Sequence, residues 1–379
     1  MFKEIHKKKL VGLVALDLKK AFDTVDHQIL LNKLKLYGMN DSALSWFKSY
    51  LFQRKQVCCF SSMASDRLTV SCGVPQGSIL GPLLFILYMN DLPQCFNLCE
   101  VNIYADDTAF YVSGNNVNEI NLALQTEMDA VHQWLCANKL SLHVGKTVSM
   151  LICSRQKRAH LREQTISVSV GNEIVNQVED LKYLGVTIDQ NINFNDHVDN
   201  VCKKLRRALG ILRRAAPFVD QNTRVTIYNT LLLPHFNYCS TIWGSGITQR
   251  NLDKLQLIQN CAMRIVLGCP PDTHIHTMLR ELKWLNVHQH LLYNLNCLVW
   301  KTQNNLVPPY LYNTFPSQNS VHNYQTRSAT NGDFAVTSSH KQSLLCNGAK
   351  QWNSLPQFLR SANTLNVFKR ELKSHVRGI

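Results

Sequence analysis

The sequence has few acidic residues, no long apolar segment and no paired cysteine motif. Lys and Arg number 40 against 26 Asp and Glu, which gives a formal net charge of +14. The longest apolar run, residues 79–89, is about half of the ~20 residues that a membrane-spanning helix needs, and it contains Gly81 and Pro82. This argues against a membrane protein. The excess of cations indicates a polyanionic partner, and we expect it to be nucleic acid.

The 13 cysteines form no CxxC pair and no zinc-finger pattern of cysteines and histidines. Two of them, Cys58 and Cys59, are adjacent, and most of the others are scattered singly. An odd number of cysteines, with no apolar signal region after Met1, is typical of a reducing compartment. We therefore expect free thiols and an intracellular location, in the nucleus and cytoplasm.

The first 190 residues alternate short apolar strands with helical stretches. Residues 11–16 predict a buried strand that ends on Asp17, and Asp26 is typical of the N-cap of a helix that Gly38 ends. The remaining predictions are a helix at 42–52 with Trp46, Phe47 and Tyr50 facing inward, a turn at 73–77, a helix after Pro82, a hairpin with strands 101–104 and 109–112, a helix at 117–135 and a strand at 148–152.

From about Asn195 onward the pattern is largely helical. One helix has an apolar stripe formed by Val198, Val201, Leu205, Ala208 and Leu212. Its opposite face carries six basic residues and no acid, namely Lys203, Lys204, Arg206, Arg207, Arg213 and Arg214. We call these six the basic face, and a run so free of acids favours contact with phosphates over a merely solvated surface. Residues 312–341, rich in Ser, Asn and Thr, predict a loose linker, and residues 342–379 predict a C-terminal helical segment.

Three acidic residues stand at a strand end or in a turn, and they point to metal chemistry. Asp17 ends the first strand, while Asp106 and Asp107 occupy the predicted hairpin. A carboxylate at the end of a buried strand is costly, and adjacent carboxylates repel each other, unless a cation compensates them. Two Mg²⁺ ions held about 3.5–4 Å apart by such carboxylates would suit phosphoryl transfer.

Five segments in order resemble the motifs of reverse transcriptases from non-LTR (LINE-type, jockey-like) retrotransposons. LDLKKAFDTVDH (16–27) resembles motif A, GVPQGSILGP (73–82) motif B and YADD (104–107) motif C. LSLH…KT (140–147) resembles motif D, with His143 where asparagine is usual, and YLGV (183–186) resembles the primer grip of motif E. Residues 233–244 and 352–356 are similar to the region after the polymerase domain.

The resemblance implies an α+β fold shaped as a right hand. Residues 1–190 would be the palm, an antiparallel sheet backed by helices, and residues 191–311 a helical thumb or connection. The activity implied is RNA-directed DNA polymerisation with two Mg²⁺ ions, or Mn²⁺ in their place. The partners implied are an RNA template, a DNA primer and deoxynucleoside triphosphates.

The resemblance also implies roles for particular residues. Asp17, Asp106 and Asp107 would be the catalytic carboxylates that hold the metal ions, with Lys146 as a proton donor to pyrophosphate. The residues implied at the nucleotide are Leu18, through its carbonyl at the metal, Phe22 as a steric gate against ribonucleotides, Gln76 and Gly77. Tyr183, Leu184 and Gly185 would hold the primer terminus, and the basic face would follow the template–primer backbone.

Only 16 residues precede Asp17, whereas the family has a fingers region there that binds the triphosphate. The basic candidates for that task in this chain are Lys3, Lys7, Lys8 and Lys9. We therefore expect a chain truncated at the N-terminus, and a poor or inactive polymerase by itself. The alternative function is a catalytically inactive remnant that still binds nucleic acid.

Overall fold

The structure is a computed structural model that describes residues 1, 4–5, 7–161, 164–318, 332–336 and 343–378. Its contacts divide the chain into two compact units. The first unit comprises Lys3–Gly185 and Asp189–Ile192, and the second comprises Val186–Ile188 and Asn193–Ile379. Helices and sheets both contribute, as the expected α+β class requires. None of the described helices is long and apolar enough to span a membrane.

The first unit is built on a five-stranded sheet. Its strands are β1 (Leu10–Leu16), β6 (Glu100–Tyr104), β7 (Asp107–Gly114), β8 (Val148–Ile152) and β11 (Asn176–Gln177). Their order across the sheet is β11-β8-β1-β7-β6. The pairs β1–β7, β1–β8 and β6–β7 are antiparallel, whereas β11 runs parallel to β8. The central strand β1 is apolar on both faces because both of its faces are covered.

Eight further strands form two-stranded sheets. They are β2 (Lys55–Gln56) with β5 (Leu68–Thr69), β3 (Cys59–Phe60) with β4 (Met63–Ala64), β9 (Ser169–Val170) with β10 (Glu173–Ile174), and β12 (Asp180–Tyr183) with β13 (Val186–Asp189). The four strands between residues 55 and 69 are exposed along their whole length.

The helices of the first unit are α1 (His27–Leu36), α2 (Asp41–Leu51), α3 (Leu80–Met89), α4 (Val117–Ala137) and α5 (Arg155–Leu161). Helix α4 packs on β1 and β7 and buries an apolar stripe that includes Ile120, Leu124 and Val131. Asp26 caps α1 as predicted, since its side chain accepts a hydrogen bond from the Ile29 N–H at 2.9 Å. These elements enclose one apolar core around β1.

The inward orientation predicted for Trp46 on α2 is wrong. The Trp46 residue is 54% exposed, whereas Phe47 and Tyr50 are half-buried and pack on the core. Trp46 instead stacks on Tyr50, with ring centroids 5.5 Å apart and an interplanar angle of 6°. Apolar residues at positions i and i+4 form one continuous stripe, and here only one edge of that stripe reaches the core.

The described part of the second unit is mainly helical. Its helices are α6 (Asn195–Ala215), α7 (Gln221–Ile227), α8 (Leu233–Asn237), α9 (Ser240–Trp243), α10 (Gln249–Leu267), α11 (Ile275–Leu282), α12 (Val287–Gln303), α13 (Leu344–Ser354), α14 (Gln357–Arg360) and α15 (Leu365–Arg377). The predicted apolar stripe of α6 is confirmed, because all five of its residues are buried. Helix α6 packs mainly on α10, and α12 packs on α13 and α15.

The composition of residues 312–341 predicts a linker without fixed contacts, but its described parts, 312–318 and 332–336, pack on the protein. Phe315 and Phe334 are buried in the core around α12, α13 and α15. Ser317 and Phe334 form an isolated antiparallel bridge. These two aromatic side chains therefore hold the described parts of a polar segment on an apolar core. Residues 319–331 and 337–341, to which the same linker prediction applies, lie outside the described residues.

Candidate active site

The strand register brings two of the three candidate carboxylates to the same end of a strand pair. Strand β1 pairs with β7 so that Leu16 is opposite Thr108, the last pair of this register. Asp17 directly follows Leu16 and Asp107 directly precedes Thr108, so both residues lie at that end. Tyr104 pairs with Asp107, so that Ala105 and Asp106 form the two-residue turn, with a φ of 54° at Ala105. The hairpin therefore brings residues 106 and 107 to the end of β1.

The electrostatics of these carboxylates agree with their proximity. Burial raises the pKa of Asp107 above its ordinary value, and the negative charges of Asp106 and Asp17 raise this pKa further. The Nζ atom of Lys146 lies 4.0 Å from Oδ2 of Asp17, and both side chains are partly exposed to solvent. The carboxylates thus repel one another at a site that solvent and ligands can reach.

Motif D is attached directly to the end of β1. The Asp17 N–H donates to Oγ1 of Thr147 at 3.2 Å, and the His143 N–H donates to the Asp17 carbonyl at 2.7 Å. The Lys19 N–H donates to the Ser141 carbonyl at 2.8 Å. Because residues 17 and 19 form the hydrogen bonds of this antiparallel bridge, the N–H and C=O of Leu18 point away from motif D.

Motif B is attached to motif A by its backbone. The Gly73 N–H donates to the Val25 carbonyl at 2.7 Å, and the Val74 N–H donates to the Phe22 carbonyl at 2.8 Å. The ring of Phe22 stacks on Phe85 of α3, with centroids 4.3 Å apart and an interplanar angle of 25°. Phe22 is half-buried, so one part of the ring belongs to the core and the rest is accessible.

Gln76 and Gly77 lie at the exposed end of motif B. The Gln76 amide donates to Oδ1 of Asp23 at 2.8 Å. Gly77 has a φ of 79°, and no heavy atom of the described residues, apart from Gly77 and its two chain neighbours, lies within 4 Å of the position that a Cβ would occupy. Asp26, by contrast, is engaged by Ile29 and by Lys139, whose Nζ lies 2.7 Å from Oδ2 of Asp26. This contact set agrees with the expectation that Asp26 caps a helix.

The predicted primer grip is the hairpin turn between β12 and β13. Leu184 and Gly185 have φ angles of 45° and 81°, as a two-residue turn of type I′ requires. Burial raises the pKa of Tyr183, and the negative charge of Asp107 raises it further. The Tyr183 side chain therefore lies within electrostatic range of the carboxylates.

The basic face of α6 is exposed at all six positions. No acidic side chain in the described part of the chain lies within 4.0 Å of any of the six. The cations are therefore available to an anionic ligand.

The cations near the N-terminus differ, because the Nζ atoms of Lys7 and Lys9 lie 2.7 and 3.4 Å from the carboxylate oxygens of Glu4. Lys3 lies outside the described residues.

The carboxylates fit a divalent cation by the chemistry of their oxygens. Mg²⁺ prefers carboxylate, carbonyl and water oxygens, and the mutual repulsion at Asp107 is what a cation would relieve. However, no three His, Cys, Asp or Glu side chains among the described residues are gathered into a group ready to hold a metal ion. Asp17, Asp106 and Asp107 would thus need side-chain rotation, or oxygens from a substrate, to complete such a site.

Several residues of this site escape prediction from the sequence. Thr147 contacts the Asp17 N–H across 130 positions, and a nitrogen atom of the His27 ring lies 2.8 Å from the Gly73 carbonyl. The Asp23 carboxylate accepts a hydrogen bond from the Gln76 side-chain amide. The only sequence signal for Thr147 is that it directly follows Lys146 in motif D. Such contacts depend on strand pairing between distant segments, which a single sequence does not display.

Comparison with known proteins gives consistent matches. The family model described as "Reverse transcriptase (RNA-dependent DNA polymerase)" matches residues 2–188. The chain is 29% identical over 287 residues to the probable RNA-directed DNA polymerase from transposon X-element of Drosophila melanogaster, covering 74% of this chain and 31% of that protein. It is 26% identical to the RNA-directed DNA polymerase from the mobile element jockey of Drosophila funebris, and the match covers 70% of this chain and 29% of that protein.

A further relative is the Pol polyprotein from the type-1 retrotransposable element R1 of Nasonia vitripennis, with 30% identity over 56% of this chain and 65% of that protein. The chain spans less than a third of the length of the X-element and jockey proteins. A solved telomerase from Candida albicans, in complex with a fragment of telomeric RNA, has 10% identity and a TM-score of 0.29 over 75% of this chain and 52% of that one. That structural likeness is too low to support an argument.

Proposed function

We propose that this chain, whose residues 2–188 match the model of the reverse-transcriptase family, belongs to that family and catalyses RNA-directed DNA synthesis for a non-LTR retrotransposon of the jockey type. The observation that supports the proposal is that the β1–β7 pairing, which ends at Leu16 and Thr108, brings Asp17 and Asp107 to one end of the strand pair, with Nζ of Lys146 4.0 Å from Oδ2 of Asp17. The substrates would be deoxynucleoside triphosphates, a DNA primer and an RNA template.

The reaction is attack of the primer 3′-hydroxyl on the α-phosphate, with pyrophosphate as the leaving group. Asp17, Asp106, Asp107 and the Leu18 carbonyl would hold two Mg²⁺ ions, or Mn²⁺. Bound metal supplies charge stabilisation for the attacking and leaving oxygens. Lys146, next to Asp17, would give a proton to the departing pyrophosphate. Thr147 would keep the end of β1 in position through its hydrogen bond to the Asp17 N–H.

The neighbouring residues would bind substrate. The half-buried Phe22 ring would lie beneath the sugar of the incoming nucleotide, and Gln76 and Gly77 would lie against the nucleotide and template. Tyr183, Leu184 and Gly185 would hold the primer terminus, which agrees with the electrostatic effect of Asp107 on Tyr183.

At the domain level we propose that residues 1–190 form the palm of a right-hand polymerase and that residues 191–311 form a thumb or connection. The exposed basic face of α6 would follow the template–primer backbone. We also propose an intracellular location, in the nucleus and cytoplasm, because the 13 cysteines are all free.

The test is primer extension by the 379-residue chain on an RNA template with Mg²⁺. Extension by the unaltered chain, with a loss of at least about a hundredfold in Asp106→Asn, would support the proposal. The exposed Asp66→Asn is the matched control and should retain activity. Slow extension that Asp106→Asn abolishes agrees with the expected poor polymerase. If the unaltered chain binds template–primer but extends it no more than Asp106→Asn does, the result supports the alternative function as a non-catalytic binding protein.

A further inference from the structure

Two adjoining cavities in the second unit have a basic lining. Their volumes are about 550 and 390 Å³. They lie between helix α11, the start of α12 and the end of α15, and Lys283, Trp284 and Arg377 contribute to both. We call the pair the basic groove.

The cations of the groove form no ion pair with an acidic side chain among the described residues. Its cationic or potentially cationic side chains on the surface are His276, Arg280, Lys283, Lys373 and Arg377. No acidic side chain among the described residues lines either cavity. Glu371, on the same helix as Lys373, pairs with Arg370 at 3.0 Å. Burial lowers the pKa of Lys373, and the charge of Arg377 lowers it further, as expected where cations crowd together.

The walls of the groove are held by hydrogen bonds to backbone carbonyls. The Arg377 guanidinium donates to the Lys283 carbonyl, which fixes the end of α15 against the end of α11. The Gln289 amide donates to the Val376 carbonyl at 2.9 Å, and the Gln259 amide donates to the Leu285 carbonyl at 2.9 Å. The groove is therefore a built feature of the fold rather than a chance gap between side chains.

An aromatic ring lies at the wall that both cavities share. Trp284 is half-buried and stacks on Tyr228, with centroids 3.9 Å apart and an interplanar angle of 19°. Tyr228 is buried, so the stack gives Trp284 a rigid support. Cations beside a supported aromatic ring are the combination that proteins use to bind single-stranded nucleic acid, with phosphates on the cations and a base on the ring.

We propose that the basic groove binds a short segment of single-stranded nucleic acid. Cavities of this size suit a ligand of one or two nucleotides. A duplex is a poorer ligand, because its bases are already stacked and cannot reach a ring inside a cavity. The groove shares no residue with the carboxylates or with the basic face, and the proposal does not depend on polymerase activity.

Binding would be measured by fluorescence anisotropy with labelled 12-nucleotide oligo(U), oligo(dT) and a duplex RNA. The full-length background carries Lys203→Gln, Lys204→Gln, Arg206→Gln and Arg207→Gln, so that the basic face does not mask the groove. In this background Arg280→Gln, Lys283→Gln and Lys373→Gln together should weaken oligo(U) binding about tenfold or more. The salt slope of log K should fall by up to about 2, at about 0.7 for each phosphate that the variant no longer neutralises.

The matched control removes three exposed cations elsewhere, with Lys35→Gln, Arg250→Gln and Lys350→Gln. If the control variant loses as much affinity for oligo(U) as the groove variant does, the proposal is overturned. A duplex RNA that binds as tightly as oligo(U) would also overturn it. Equal binding of oligo(U) and oligo(dT) means that either strand type occupies the groove, whereas a preference assigns it to RNA or to DNA.

Photo-crosslinking tests the site without altering it. Oligo(U) that carries 4-thiouridine should crosslink to the peptide that contains Trp284, and mass spectrometry would locate the adduct. An excess of unlabelled oligo(U) should abolish this crosslink, whereas the same concentration of inorganic phosphate should not. Crosslinks that map only outside residues 276–293 and 373–377 would contradict the proposal.

Discussion

Gly73 and Gly77 both have positive φ angles in motif B, but only Gly73 is enclosed by backbone. A Cβ at Gly73, where φ is 87°, would lie 2.7 Å from the Asp23 carbonyl oxygen. A Cβ at Gly77 would meet nothing within 4 Å. Gly73→Ala therefore combines an unfavourable φ with a clash between motifs A and B, whereas Gly77→Ala has only the φ cost.

We expect Gly73→Ala to lower the free energy of unfolding by about 2–4 kcal/mol and Gly77→Ala by about 1 kcal/mol. Urea denaturation of both variants, followed by circular dichroism, gives the comparison. Equal effects of the two substitutions would mean that the close approach of motif B to Asp23 is not a determinant of stability.

Asp107 should make stability depend on pH and on Mg²⁺. Its folded-state pKa is raised, so its stabilising contribution is complete below the ordinary value of 3.8 and is lost as the pH rises through the raised pKa. At pH 7 the neutral Asp107→Asn should be slightly more stable than the unaltered chain in EDTA, by less than about 1 kcal/mol because solvent screens the site. This advantage should shrink as the pH falls towards 4.

Thermal denaturation in EDTA and in Mg²⁺ measures both effects. Mg²⁺ should raise the Tm of the unaltered chain more than that of Asp107→Asn, because the cation relieves the repulsion among the carboxylates. Asp66→Asn, at an exposed position, is the control and should respond to Mg²⁺ as the unaltered chain does. If Mg²⁺ raises the Tm of Asp107→Asn as much as that of the unaltered chain, the cation binds at a site that does not involve Asp107.

Phe22 combines a core contact with a place at the proposed nucleotide site. Its stack on Phe85 holds the ring at 4.3 Å between centroids, so the ring cannot move aside for a 2′-hydroxyl. Phe22→Ala should raise incorporation of ribonucleotides relative to deoxyribonucleotides by about tenfold or more, since a steric clash costs ~1–3 kcal/mol. Competitive extension with both nucleotide types measures the ratio. Phe96→Leu, at another half-buried core position, should leave it unchanged.

At the scale of secondary structure, apolar patterns and caps predict elements well where the signal is local. Strand β1, the Asp26 cap, helix α4 and the apolar stripe of α6 all match the sequence-based predictions. The pairing of Leu18 with Leu142 and the parallel strand β11 have no such signal. Both depend on segments that meet only in the folded chain. The exposure of Trp46 also escapes prediction, because periodicity identifies a stripe but not how much of it is covered.

The candidate site is predictable through the order of its motifs rather than through its geometry. The sequence indicates Asp17, Asp106 and Asp107 as a group, and the β1–β7 register, which ends at Leu16 and Thr108, brings Asp17 and Asp107 to the same end of the strand pair. The convergence of all three carboxylates on a metal ion stays a prediction, since no described cluster is assembled for one.

The basic face of α6 should bind phosphates without reading bases. Its cations are exposed and have no acidic partner within 4.0 Å in the described part of the chain. Changing Lys203, Lys204, Arg206 and Arg207 to Ala should weaken binding to all template–primer sequences alike. The salt slope of log K should fall by about 0.9 for each duplex phosphate that is no longer neutralised. Unaltered affinity and slope would place nucleic acid on another surface.

At the scale of the whole molecule, two compact units have separate apolar cores. The core of the first unit surrounds β1 and includes Phe110, which is fully buried. The core around α12, α13 and α15 includes Phe368, which is also fully buried. A unit with its own core is expected to unfold as its own cooperative unit unless a large apolar interface couples it to the other.

Phe110 and Phe368 provide a matched pair to test this, because both are phenylalanines with 0% exposure. Replacement of either by Ala should cost about 3–5 kcal/mol through reduced apolar burial and the cavity that remains. We expect calorimetry of the full chain to show two unfolding transitions, with Phe110→Ala lowering one and Phe368→Ala lowering the other. If each substitution shifts both transitions equally, or if a single transition is seen, the two units unfold together as one cooperative unit.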